Sequence, residues 1–169
     1  INSKIILAED LGEAYKDAKK IRDVFKIPGM KILQFSFGNG DPYHEMDQNT
    51  VIYTGTHDNS TCIGWFDELL NDKELNSEKN SINLVDEVIK YIDYKPSDLI
   101  HWNMILYAMS SKASYCIIPL QDILGLNDNS RMNIPGTVGN NWLWRFKKET
   151  LTEAIKEKLK LITKDVNRI

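Results

Sequence analysis

The chain has 169 residues, 42% of them apolar and 27% charged, which suits one ordinary globular domain with a real core. A formal net charge of −3 argues against nucleic acid as the main partner, because phosphate binding needs a basic surface. No apolar run approaches ~20 residues, so no membrane span is expected.

The N-terminus, "INSKIILAED", lacks a Met, has too short an apolar core for a signal peptide and enters a β-type run almost at once. The expectation is a chain cut from something larger, with a first strand near 4–8. "EAYKDAKKIRDVF" then places Ala14, Ala18, Ile21 and Phe25 at helical spacing, and Pro28-Gly29 ends that helix. "MKILQFSF" predicts a second strand near 31–36. Strand, helix and strand within about 30 residues make a βαβ unit, whose strands are parallel.

A turn-rich loop, "GNGDPYHEMDQN", leads to a third strand near 51–55. "TCIGWFDELL" begins a helix, and "NDKELNSEKNS" reads as an exposed excursion. Ile82, Val85, Ile89 and Ile92 recur at helical spacing. Pro96-Ser97-Asp98 reads as a helix start with Ser97 as N-cap, and the apolar stretch through Met109 predicts a buried helix. "SYCIIPLQD" predicts a fourth strand near 115–119. After the loop "GLNDNSRMNIPGTVGNNWLWR", Leu151, Ile155, Leu159, Ile162 and Val166 share one face of a closing helix. Thr150 and Glu153 have capping-box spacing in front of it.

The strands are continuously apolar, the pattern of a parallel sheet covered on both faces. The class is therefore α/β, either an open doubly wound sheet or part of a closed barrel. Cys62 and Cys116 have no CxxC spacing and read as two buried reduced thiols of a cytosolic protein.

Polar residues follow every expected strand: Glu9-Asp10, Gln34, His57-Asp58-Asn59 and Gln121-Asp122. The C-terminal ends of parallel strands share one rim, where barrel enzymes carry their sites. One such acid alone is an ordinary helix cap or loop residue; clusters after all the strands favour a site. No G-x-G-x-x-G or Walker sequence occurs, which excludes the usual dinucleotide and P-loop devices. No Ser or Cys stands in a nucleophile elbow. His57-Asp58 has no second His at ligand spacing, and neither His44 nor His101 supplies one, so no metal is expected. What remains is a pair of carboxylates with imidazole and amide donors, which suits glycoside chemistry.

"KIILAEDLG", "PGMKILQFSFG", "NTVIYTGTHDNSTCIGWF", "IIPLQDILGL" and "SRMNIPGTVGNNWLWR", in that order, closely resemble the amylomaltase family of 4-alpha-glucanotransferases, or disproportionating enzymes. That family belongs to the α-amylase clan of (β/α)8 barrels. The resemblance implies that this chain is the C-terminal half of such a barrel, with its N-terminal half absent, and that the strands are the last four of eight. It implies that Glu9 is the general acid/base, that Asp58 is the acid favouring the oxocarbenium-like state, and that His57 donates to the sugar at the cleavage site. The family's nucleophile is an aspartate after an earlier strand, and no Asp here stands in its motif.

The implied reaction is retaining transfer of 1,4-α-glucan segments to a new 4-hydroxyl by double displacement. The attacking and proton-giving carboxyl groups then stand about 5–5.5 Å apart. Glu9 must hold the proton that it gives to the leaving glycosidic oxygen, which takes burial and neighbouring acids. Gln34, Asn59, Gln121, Arg131 and Asn133 are candidate ligands of sugar hydroxyls; an ion pair to Asp122 or Asp128 is the structural alternative for Arg131. Trp65, Trp142 and Trp144 are either sugar platforms or core. The implied partners are α-1,4-glucans, maltooligosaccharides and the missing half, in the cytoplasm, with no cofactor, nucleic acid or membrane. An α-amylase-like hydrolase and an inactive carbohydrate-binding fragment are the alternatives. Ser60 stands where many members carry an acid, and the loop before the third strand is short, both bearing on the acceptor side.

Overall fold

The computed structural model of the protein describes residues 6–9, 15–38, 46–75 and 79–168. At its centre is a three-stranded parallel sheet, β1 (Gly29–Ile32), β2 (Thr50–Tyr53) and β3 (Tyr115–Ile117), in sequential order. Met30 pairs with Val51, and Ile52 pairs with Cys116. Val51 and Ile52 are fully buried, because β-branched side chains on the central strand meet cover on both faces. The same pattern does not hold at the edge, where Tyr115 and Ile117 on β3 are each 41% exposed.

The expected first strand falls partly outside the described residues. Residues 6–9 are described and carry no strand; one backbone bond, Ala8 N–H to Pro28 O at 3.1 Å, ties them to the chain before β1. The second strand is shorter than expected. It stops at Ile32, opposite Tyr53, and Leu33–Ser36 wind into a 3-10 turn that buries Leu33 and Gln34. The fourth stops at Ile117, because Pro119 lacks an N–H and instead opens the short helix α5 (Leu120–Ile123), its carbonyl accepting from Asp122 N–H.

Helix α1 (Tyr15–Phe25) ends before Pro28-Gly29, as its sequence predicts. Its expected core stripe is not covered by the described residues: Ile21 is 60% and Phe25 70% exposed. Ala14 lies outside them. Helix α2 (Cys62–Leu75) continues through residues 71–75, which the sequence suggested were an exposed excursion. Helix α3 (Lys79–Tyr91) follows, and its Val85 and Val88 are buried.

Helix α4 (Ile100–Met109) is buried on most sides, Met104, Ile105 and Ala108 completely. Ser97 does not cap it. Leu99 takes the N-cap position with no side-chain bond, and Asp98 closes the preceding turn by accepting from Lys95 N–H at 3.0 Å. The main core joins Leu33, Ile52, Cys62, Phe66, Val88 and Met104. A second cluster packs Ile155, Leu159, Ile162 and Val166 of and just beyond α6 (Glu153–Asp165) on Trp102, Ile105 and Met109. Thr152, not Thr150, caps α6, accepting from Ile155 N–H at 3.4 Å. Arg168 locks this helix down through Nε–H to Met109 O at 2.6 Å. Both cysteines are free; Cys62 is buried and Cys116 half-buried.

Candidate active-site cleft

A cleft of about 490 Å³ opens at the C-terminal ends of the strands, lined by Glu9, Tyr53, His57, Asp58, Arg131 and Trp142 among others. The two sequence-matched carboxylates thus face one concavity. Burial and then the charge of Glu9 push the Tyr53 phenol above its ordinary value, so Glu9 is electrostatically close to the end of β2.

The turn after β2 is built by short polar contacts. Thr56 donates both N–H and Oγ1–H to Asn59 Oδ1, at 2.9 and 2.7 Å, which closes the turn around Asp58. Gln34 donates Nε2–H to Ser60 O at 2.8 Å. Gly55 makes room for that bond: a Cβ there would stand 3.0 Å from Gln34 Nε2 and 3.3 Å from Ser60 O.

Asp58 is held through both backbone and side chain. Arg131 Nη2–H donates to its carbonyl at 2.8 Å, and Asn133 Nδ2–H donates to its Oδ1 at 2.7 Å. His57 Nε2 also lies 3.3 Å from Oδ1. No donor among the described residues reaches Oδ2, which leaves that oxygen available to a ligand. The His57 ring packs on Trp142 at 5.1 Å between centroids. Trp142 sits at φ 65, a left-handed conformation that costs a bulky L residue energy. Asn133 N–H to His57 O, at 3.1 Å, joins the two loops, and Trp142 N–H to Met132 O, at 2.6 Å, closes the second loop on itself.

Two more carboxylates brace the turn where it becomes α2. The first turn of α2 holds no acid of its own. Asp122 Oδ1 accepts from Cys62 N–H at 2.7 Å and Asp122 Oδ2 from Thr54 Oγ1–H at 2.6 Å. Asp128 Oδ1 accepts from Thr61 N–H at 2.9 Å. Remote acids therefore satisfy the helix's unpaired amides and complement its dipole. Burial raises the Asp122 carboxyl, with the bonds from Thr54 and Cys62 pulling it back down. Burial, then Asp122, pushes the Cys62 thiol well up, so it is no nucleophile.

Each remaining candidate has a place. Gln34 and Gln121 are buried, and Gln121 donates to Ser130 O at 3.1 Å. Asn59 closes the turn, Asn133 fixes Asp58, and Arg131 bridges Asp58, Ser60 and Asp128. The ion pair of Arg131 is with Asp128, at 3.5 Å, and none is formed with Asp122. Trp65 stacks on Phe37 at the core, Trp144 stacks on Phe146, and Trp142 lines the cleft. No group of three potential metal ligands occurs among the described residues. Sequence reasoning missed Thr54 and the bracing role of Asp128. Their partners lie 68 and 67 residues away, beyond any local pattern.

Residues 2–152 match the family model described as 4-alpha-glucanotransferase. A 4-alpha-glucanotransferase of Synechocystis sp. is 40% identical over 163 residues, covering 94% of this chain and 30% of that protein. The chloroplastic/amyloplastic 4-alpha-glucanotransferase of Arabidopsis thaliana is 44% identical over 149 residues, covering 86% of this chain and 24% of that protein. The structure of amylomaltase from Streptococcus agalactiae in complex with acarbose superimposes with a TM-score of 0.82 at 35% identity, over 95% of this chain and 31% of that one. Amylomaltase from Corynebacterium glutamicum, 17% identical with a TM-score of 0.61, shares the fold. The chain spans 24 to 31% of the lengths of these proteins. By its family match and by these relatives, the chain belongs to the 4-alpha-glucanotransferase family.

Proposed function

We propose that this chain is the C-terminal half of the (β/α)8 barrel of a cytoplasmic 4-alpha-glucanotransferase. The longer protein moves segments of 1,4-α-glucan to a new 4-hydroxyl on glucose or another glucan. The observation that carries this reading is the convergence of Glu9 and Asp58 on one cleft at the ends of parallel strands. Sequential parallel strands with an open β3 edge support a barrel completed by other strands.

In this reading Glu9 gives its proton to the leaving glycosidic oxygen while an aspartate outside this stretch bonds to the anomeric carbon. Glu9, now a carboxylate, then takes the proton of an incoming glucan 4-hydroxyl as that oxygen displaces the aspartate. Asp58 offers Oδ2 to the sugar, and its negative charge complements the oxocarbenium-like transition state. His57 donates to the same ring, and Trp142 supplies an apolar face beside it. Gln34, Asn59, Gln121 and Asn133 shape the rim.

The test is product analysis of the full-length protein on maltotriose. Longer oligomers mean transfer, whereas only shorter sugars mean hydrolysis and end the glucanotransferase reading. Glu9→Gln is expected to lower transfer by about 10³-fold or more while leaving glucan binding in place. Full activity in that variant removes Glu9 from the mechanism.

A further inference from the structure

We propose that Arg131 is a positioning residue that sets Asp58, and that it is not a ligand of the sugar; this rests on the site reading above. Arg131 lines the cleft, which makes it look like a sugar donor. Each of its terminal nitrogens already has a partner within the protein. Nη2–H donates to Asp58 O at 2.8 Å, and Nη1–H donates to Ser60 Oγ at 3.1 Å. Nη1 also stands 3.5 Å from Asp128 Oδ2. The side chain keeps only 18% of its exposure, and Nε is buried without a partner. A guanidinium that buries its Nε–H without a partner in order to reach two groups of the turn and Asp128 is placed for the turn.

The partners of Arg131 explain what it transmits. Asp128 is anchored to the start of α2 through Thr61 N–H and Oγ1–H. Arg131 therefore joins a fixed helix end to the carbonyl of Asp58. Two residues on, Asn133 holds Asp58 Oδ1 through Nδ2 and His57 O through its backbone N–H. Residues 131–133 act as a splint along residues 57–60, with the guanidinium at one end and the amide at the other. The splint occupies the Asp58 carbonyl and Oδ1 and leaves Oδ2 without a donor among the described residues. Lys carries one ammonium in place of a planar fork and cannot reach Asp58 O, Ser60 Oγ and Asp128 in this geometry.

The experiment is a double-mutant cycle in the full-length protein, reading kcat and KM for transfer from maltotriose, with thermal unfolding as the check on folding. Arg131→Ala is expected to lower kcat about 100-fold, the scale of an ångström-level misplacement. KM should change less than about 3-fold, because the lost contact is to the enzyme and not to the substrate. In the Asp58→Asn background the same change should cost less than about 3-fold in kcat, since the group being positioned is already altered. Arg131→Lys should keep the unfolding midpoint and still lose about 10-fold in kcat, and it carries the same cycle if the Ala variant does not fold. A raised KM with kcat intact makes Arg131 a sugar ligand and overturns the proposal. Equal losses in both backgrounds also overturn it, because Arg131 then acts independently of Asp58. If Asp58→Asn alone leaves transfer untouched, the site reading fails and takes this inference with it.

Discussion

The two acids of the cleft stand in unequal surroundings. Asp58 sits in a turn gripped by Gln34 on one side, by Arg131 and Asn133 on the other, and by Asp122 and Asp128 where α2 begins. Glu9 is exposed, on a segment that a single backbone bond, from Ala8 to Pro28, ties down among the described residues. The contrast separates two tasks. Asp58 works through a fixed charge on a fixed oxygen, and the chain supplies that rigidity from the turns and loops that follow its own strands. A general acid works through a proton held in a covered environment, and among the described residues nothing covers Glu9.

The largest test of this contrast is Asp122→Ala. It leaves the amide of Cys62 and the hydroxyl of Thr54 unpaired in a site that is 1% exposed. Each buried orphan costs about 1–3 kcal/mol, so a loss of ~4 kcal/mol in urea unfolding is expected. A loss below ~1 kcal/mol would mean that the brace on α2 is dispensable.

Gly64→Ala presses on the same brace from the helix side. A Cβ at position 64 would lie 2.0 Å from Asp128 Oδ1, so Asp128 must leave Thr61. A loss of ~2 kcal/mol is expected, with the turn amides exchanging faster with solvent. Unchanged exchange at residues 57–61 would show that Asp128 does not hold the turn.

His101 tests the layer beneath. It is buried on α4 against Gly125, just past α5, where a Cβ would come within 2.7 Å of its ring. Burial, with the charge of Lys158 adding, lowers its pKa from 6.5 to about 4. The unfolded chain therefore takes up the proton first. The stability that a neutral His101 contributes is complete above pH 6.5, is lost as the pH falls toward 4, and changes no further below that. His101→Gln should flatten the fall of the unfolding midpoint across this window. An identical slope in both proteins would contradict the assignment.

The smallest effect is expected on the Glu9 side. Ala8→Pro removes the N–H that bonds Pro28 O, and should cost about 1 kcal/mol or less. A loss as large as that of Asp122→Ala would abolish the contrast from which these expectations come.

The sequence carried the family blocks, the parallel sheet and the placing of Glu9 and Asp58 along one cleft, because each is written in contiguous residues or in the shared direction of strand ends. It was less informative wherever a partner is remote. Ser97 and Thr150 have the chemistry of caps, yet the choice of Leu99 and Thr152 as N-cap positions depends on where the following helices dock. The apolar stripe of α1 marks a buried face, while the described residues leave Ile21 and Phe25 exposed. Gln34, Arg131 and Asn133 have donors suited to sugars, and only the folded turn shows those donors already bonded to Ser60 and Asp58. Composition identifies the kind of polar group available at a rim, and packing decides which of those groups are spent on holding the others.

The most direct test of the central claim is a structure of the full-length protein with a bound maltooligosaccharide. One glucose ring is expected to bond Asp58 Oδ2, with Glu9 against the glycosidic oxygen and Arg131 still on Asp58 O and Ser60. A sugar bound away from Asp58, or one held directly by the Arg131 guanidinium, would contradict the account.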